Sequence, residues 1–101
     1  MNSPVYHWRK LNESNLNNFD KLLVKDISYL EEHYKYSPKW IHVSPCLYNH
    51  LKDKYEGMVT YSTDGAMSTY RGLYIIKRLD YLGYMYDIST HIDYPRLIGK
   101  N

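Results

Sequence analysis

The stretch WIHVSPCLYNHL, residues 40–51, marks the point where a strand ends and a helix begins. Trp40–Val43 combine β-branched and aromatic residues, which is typical of a short strand. Ser44 followed by Pro45 predicts a helix start, because serine caps the free amide groups and proline fits the first helical position. We therefore predict a helix that runs from this pair to about Tyr55.

Upstream of this stretch, the sequence predicts a longer amphipathic helix from about Ser14 to Tyr34. Asn12 or Ser14 can cap its first turn. Apolar residues follow at spacings of three and four, which places them on one helix face: Leu16, Phe19, Leu22, Leu23, Ile27 and Leu30.

Downstream, the pattern predicts strands separated by turns. A strand over residues 58–61 leads into a turn at 62–65, and the run TYRGLYIIKRL at 69–79 has the strongest strand character, with Gly72 as a bulge or a point of close backbone approach. Residues 84–88 then return as its hairpin partner. The order helix, strand, helix and three strands predicts an α+β fold in which two helices pack on a small, mostly antiparallel sheet.

This pattern divides the 101 residues into three parts. Residues 1–11 are expected to form an aromatic N-terminal arm that docks on the domain or on a neighbour, since solvent-facing arms rarely carry a residue such as Trp8. Residues 12–90 form a single α+β domain, and residues 91–101 form an irregular C-terminal tail.

Thirteen tyrosines against one phenylalanine indicate a binding surface. Tyrosine offers a large ring with few rotors to freeze, and a core of this size has few partners for so many hydroxyl groups. Strand alternation over 69–79 places Tyr70 and Tyr74 on one face, beside Gly72. We therefore predict protein contacts through the arm and the 69–88 hairpin: Tyr6, Trp8, Tyr70, Arg71, Tyr74, Tyr84 and Tyr86.

The charge balance restricts the classes of partner. Thirteen Lys and Arg against eleven Asp and Glu give a net charge of +2, which makes neither a basic stripe for duplex DNA nor an acidic DNA mimic. Nucleic acid is therefore not the expected partner, although Arg71, Lys77 and Arg78 among tyrosines keep single-strand binding as an alternative. The sequence has no apolar run of ~20 residues, so no membrane partner is expected.

Candidate chemistry is sparse. Cys46 lies near a helix start with His50 four residues on, a pairing seen in nucleophilic sites, but a lone cysteine more often serves as a small apolar residue. The five histidines lack the spacing of a zinc site, and the glycines do not form a phosphate-binding loop. We expect no cofactor, no metal and no enzymatic activity, and the single cysteine fits a reducing compartment.

Three segments in order, WIHVSPCLYNHL, KYEGMVTY and TYRGLYII, resemble a pattern in tailed-phage structural proteins with the HK97-like fold. The resemblance covers about half of the chain, and it implies a minor or accessory virion structural protein, located in the virion or the host cytoplasm. That family supplies no catalytic residues. A host-directed inhibitor that binds a bacterial protein is the alternative, and self-association through an exposed edge of the 69–88 hairpin is a further expectation.

Overall fold

A computed structural model describes residues 6–90, with side chains from His7 onward. It contains two helices and six strands, with short 3₁₀ turns before the first helix and after the second. The elements are β1 (Tyr6–Leu11), α1 (Phe19–Tyr34), β2 (Trp40–Val43), α2 (Pro45–Lys54), β3 (Val59–Tyr61), β4 (Met67–Tyr70), β5 (Leu73–Lys77) and β6 (Tyr84–Ser89). The α+β class predicted from the sequence is confirmed.

The six strands form one sheet in the order β1-β6-β2-β5-β4-β3. Strands β2 and β5 pair in parallel, with Trp40 opposite Tyr74 and Val43 opposite Lys77. The remaining neighbours pair antiparallel, so the sheet is mostly antiparallel, as predicted. The parallel pair places β2 in the interior of the sheet, between β6 and β5.

Both helices lie on the same face of the sheet and bury the core there. The apolar stripe of α1 is confirmed in part, since Phe19, Leu23 and Leu30 are fully buried while Leu22 and Ile27 are partly buried. Helix α2 contributes buried leucines to the same cluster. The sheet side of the core consists of Ile41, Val43, Tyr70, Leu73, Ile75, Tyr86 and Ile88.

The predicted start of α2 is confirmed and has a second role. The Ser44 side-chain oxygen accepts a hydrogen bond from the Leu47 amide at 3.2 Å, with Pro45 at the first helical position. The same oxygen accepts from the Met85 amide at 3.1 Å. One buried serine therefore caps the helix and joins it to β6.

The second half of the expected N-terminal arm, residues 6–11, forms β1 and contacts the rest of the domain as a strand of the sheet. The strand pairs with β6 over its whole length, from Tyr6 opposite Ser89 to Leu11 opposite Tyr84. Its alternating pattern of His7, Trp8 and Arg9 is that of an edge strand with two different faces. The predicted tail, residues 91–101, lies outside the described residues.

The predicted long strand at 69–79 is wrong, because it is a tight hairpin. Arg71 and Gly72 have positive φ angles of 52° and 80°, as in a two-residue type I′ turn, and Tyr70 pairs with Leu73 across it. The residues on both sides of the turn favour strands, so Gly72 was the single signal of the break. Tyr70 and Tyr74 consequently lie on opposite faces.

The predicted pairing of 69–79 with 84–88 is wrong as well. Strand β2 lies between β5 and β6 and pairs with both, so β5 and β6 are not neighbours. The edges of the sheet are β1 and β3. The expectation of self-pairing through an edge of that hairpin therefore does not apply to this sheet.

A buried carboxylate on α1 fixes this helix to the neighbouring strands β1 and β6. Asp26 is 2% exposed and accepts hydrogen bonds from Arg9 at 2.7 and 2.8 Å and from the Tyr86 hydroxyl at 2.6 Å. The Nε2 atom of His7, also on β1, lies 3.2 Å from Oδ1 of Asp26. Burial acts to raise the pKa of Asp26, but the hydrogen bonds from Arg9 and Tyr86 outweigh it and lower that pKa below its usual range.

We expect Asp26→Asn to lower the free energy of unfolding at neutral pH by on the order of 2–3 kcal/mol, because Arg9 and Tyr86 lose a charged acceptor. Since folding lowers the pKa of Asp26, the wild type has this stability above pH ~4 and loses it as the pH falls further. The variant should therefore show a flatter acid limb. Urea unfolding across a pH series measures both effects.

The matched control is Asp53→Asn, because the Asp53 side chain is 75% exposed and its carboxylate forms an ion pair with Lys54 at 3.9 Å on the surface. Its stability and pH profile should match the wild type. An equal loss in both variants would contradict the assigned role of Asp26.

The hairpin gives a second prediction. Gly72→Ala should destabilise the protein by about 1–2 kcal/mol, because an alanine at a positive φ is strained even where space is free. Gly57→Ala is the control, since its added carbon also meets nothing within 4 Å and its φ is not positive. Thermal unfolding of both variants compares them. A neutral Gly72→Ala would reject the type I′ turn.

Candidate protein-binding face

The register of the sheet separates a face covered by helices from one that no helix within residues 6–90 covers. Arg9 and Tyr86 contact α1 through Asp26, so they point to the covered face. Their neighbours in sequence point the other way. We define the helix-free face by Trp8 on β1, Met85 on β6, Trp40 on β2, and Tyr74 and Ile76 on β5.

Aromatic side chains dominate one end of this face. Tyr74 is 54% exposed, and the rings of Trp40 and Tyr74 lie 6.3 Å apart on the adjacent strands β2 and β5. Opposite Tyr74, Thr69 of β4 continues the same surface. We call Trp40 and Tyr74 the aromatic shelf. Trp8, 51% exposed on the edge strand β1, stands opposite Asp87 and therefore lies nearer the middle of the face.

A loop over residues 78–83 rises from the other end of the face. Its first residue donates a backbone hydrogen bond to the Val43 carbonyl at 2.8 Å, and the Arg78 guanidinium forms two hydrogen bonds to Asp80, at 3.0 and 2.8 Å. These hydrogen bonds lower the pKa of Asp80. Leu79 and Leu82 point outward and are 78% and 73% exposed. We call these two residues the leucine ridge.

A buried polar cluster supports the ridge from beneath. The Tyr81 hydroxyl donates to the Asp87 carboxylate at 2.9 Å, and the His42 ring nitrogen Nδ1 lies 3.6 Å from the same oxygen. All three residues are at most 2% exposed. The cluster connects the loop to β6 and β2, so the ridge is held in a defined position on the sheet.

The structure divides the seven predicted contact residues. Trp8 and Tyr74 lie exposed on the helix-free face. Tyr70 and Tyr86 are completely buried on the covered face, so their prediction as contact residues is wrong. Their hydroxyls donate to Asp20 and Asp26 of α1, which is how the core accommodates them.

The remaining three do not join the shelf. Tyr84 is half-buried on the covered face, where its ring lies 6.4 Å from that of His50. Arg71 sits in the hairpin turn with its guanidinium 2.6 Å from both carboxylate oxygens of Asp20. The side chain of Tyr6 lies outside the described residues.

Sequence reasoning missed Trp40, Ile76 and the leucine ridge. Leu79 and Leu82 stand in the turn RLDYLG, where leucine is unusual because turns carry polar residues. That departure was a usable signal. Ile76 follows Tyr74 by two residues, so strand alternation placed both on one face. For Trp40 the face was not readable, because it depends on which strands become neighbours.

The candidate chemistry of α2 does not assemble into a site. Cys46 is exposed, whereas the imidazole of His50 packs in edge contacts with Tyr55 and Tyr84. Burial lowers the pKa of His50. Within residues 6–90 there is no group of three or more His, Cys, Asp or Glu side chains placed to hold a metal ion.

Neither the family models, nor the curated proteins, nor the solved structures with which the chain was compared contain a match. No helix in the described part of the chain has the length and apolar character needed to cross a membrane.

We predict that Tyr74→Ser and Leu82→Ser each change the free energy of unfolding by less than about 0.5 kcal/mol, because neither side chain is part of the core. Tyr86→Phe should cost about 1.5–3 kcal/mol, since Asp26 loses a hydrogen bond to a charged group. Urea unfolding compares the three. Strong destabilisation by the first two would show that the helix-free face is packed within the molecule.

Proposed function

We propose that this protein is a non-enzymatic binding domain that contacts another protein through its helix-free face. The observation that carries the proposal is the aromatic shelf and the leucine ridge on one sheet face that no helix within residues 6–90 covers. Sheet faces in small domains usually pack on another layer. Trp8, Tyr74, Leu79 and Leu82 are each more than half exposed on this side of the sheet, and large apolar side chains gathered on one face are typical of an interaction site.

Ion pairing favours protein over nucleic acid as the partner. Arg71 and Arg78 were the cations expected to hold a phosphate backbone, and each guanidinium forms two hydrogen bonds to an aspartate. A phosphate would have to compete with Asp20 and Asp80 for these groups. An apolar protein surface faces no such competition.

For the biological setting, we propose a minor or accessory structural component of a phage-like particle. The support is the resemblance across residues 40–87, a region that forms β2, α2 and the strands through most of β6. In this setting the chain would occupy the virion or the host cytoplasm. A host-directed inhibitor would use the same face on a bacterial protein.

The test is affinity capture from a lysate of infected cells with three tagged proteins: the wild type, Tyr74→Ser/Leu79→Ser, and the control Tyr29→Ser/Tyr34→Ser on α1. The control residues are also exposed, at 41% and 48%, but lie away from the helix-free face. We expect wild type and control to retain a common protein, and the face variant to lose it at least tenfold, about 1.4 kcal/mol.

Quantitative mass spectrometry of the captured proteins gives the readout. A virion protein as the retained partner supports the structural role, and a host protein supports the inhibitor. Equal capture by all three proteins would reject the helix-free face as the binding surface.

A further inference from the structure

We propose that the occupant of the helix-free face is a second copy of this chain, packed face to face about a two-fold axis. In this dimer each leucine ridge lies on the aromatic shelf of the other copy. The inference rests on the proposed function, since it takes that face to be the protein-binding surface.

The first argument is the position of the two features along the strands. Trp40 and Tyr74 stand opposite each other at the start of the parallel strands β2 and β5. The loop that carries the ridge leaves β5 after Lys77, beside Val43, at the finish of the same two strands. The shelf and the ridge therefore occupy opposite ends of one face.

A two-fold axis that lies in the interface, parallel to the sheet and across the strands, exchanges these two ends. The raised end of each copy then meets the low aromatic end of the other, and both contacts are identical. Self-complementarity of this kind is the requirement for an isologous dimer. Since the axis keeps β5 over β5, Leu79 of one copy approaches Tyr74 of the other.

The second argument is charge. The two charged side chains of the 78–83 loop, Arg78 and Asp80, form an ion pair at 2.8 Å and neutralise each other. Asp87 lies beneath the loop, within reach of His42. Lys10 stands on the edge strand at the rim, where it stays in water. Two copies thus meet without a layer of like charge, and a strongly charged partner would find no complement there.

The third argument is area. Trp8, Tyr74, Leu79 and Leu82 together expose on the order of 500 Å², against about 800 Å² per partner in a standard protein interface. Trp40 and Ile76 between them are half-buried and add to this sum. The face therefore has the size of a reversible dimer interface.

A pair of complementary variants tests the arrangement on the full chain. Tyr74→Lys places a cation on the shelf, and Leu79→Asp places an anion on the ridge. Sedimentation equilibrium over a concentration series gives the dissociation constants. We expect the wild type to dimerise and each variant alone to dimerise at least tenfold more weakly, because both contacts of its dimer bury an unpaired charge.

The 1:1 mixture of the two variants distinguishes the ridge-on-shelf geometry from other dimers. A mixed pair has one native contact and one contact between Lys and Asp, so it should recover most of the wild-type affinity. Tyr29→Lys on α1 is the control and should dimerise as the wild type does. Far-UV circular dichroism checks that all variants are folded.

Three results would overturn the proposal. The first is a wild type that stays monomeric up to about 0.5 mM, where even a weak dimer would form. The second is a dimer that neither variant weakens. The third is a pair of monomeric variants that fail to associate when mixed. A monomeric wild type whose face variant still loses a captured protein would leave the proposed function intact and reject only the second copy.

Discussion

The hydrogen-bonded carboxylate of Asp26 is the interaction on which the arrangement of this protein depends. It lies on the buried side of α1, where an unpaired charge would be costly, and it is stabilised there by Arg9 of β1 and Tyr86 of β6. Asp20, about two turns earlier on α1, forms equivalent hydrogen bonds with Tyr70 and Arg71. These residues lie at the same face, toward the β4 end of the sheet. The helix is therefore fixed across the sheet on one face only.

This one-sided attachment explains both the core and the surface of the protein. The tyrosines that α1 can reach are satisfied by its carboxylates and become core residues. Those on the opposite side of the same strands have no such partner from a helix. The tyrosine-rich composition thus reflects two physical roles, a hydrogen-bonded core ring at Tyr70 or Tyr86 and an exposed ring at Tyr74.

Local signals in the sequence predicted local structure well. The Ser44-Pro45 start of α2, the apolar stripe of α1 and the strand at Trp40–Val43 each depend on neighbours within a few residues. The α+β class followed from their order. One prediction that failed, the strand over 69–79, missed the local turn at Arg71 and Gly72, and the other, its pairing with 84–88, concerned long-range contacts. Strand β2 inserts between β5 and β6, and no local pattern specifies that neighbour.

The candidate site was predictable only where a residue's face could be inferred. Trp8 was identified because a solvent-facing arm rarely carries tryptophan, and Tyr74 because of its position on a predicted strand, although the hairpin assumed for Tyr74 was wrong. The predicted strand continued through Arg71 and Gly72, where the chain turns. Every residue on one side of that turn was therefore assigned to the wrong face of the sheet. That single error moved Tyr70 from the core to the predicted interface.

Both tryptophans of the chain, Trp8 and Trp40, lie on the helix-free face, so their fluorescence reports on that surface without any mutation. The most direct test is acrylamide quenching of this fluorescence, measured alongside the molecular mass over a concentration series. The account predicts that quenching falls as the mass doubles, because association covers Trp8. Unchanged quenching through a full transition in mass would place the interface elsewhere and contradict the role assigned to this face.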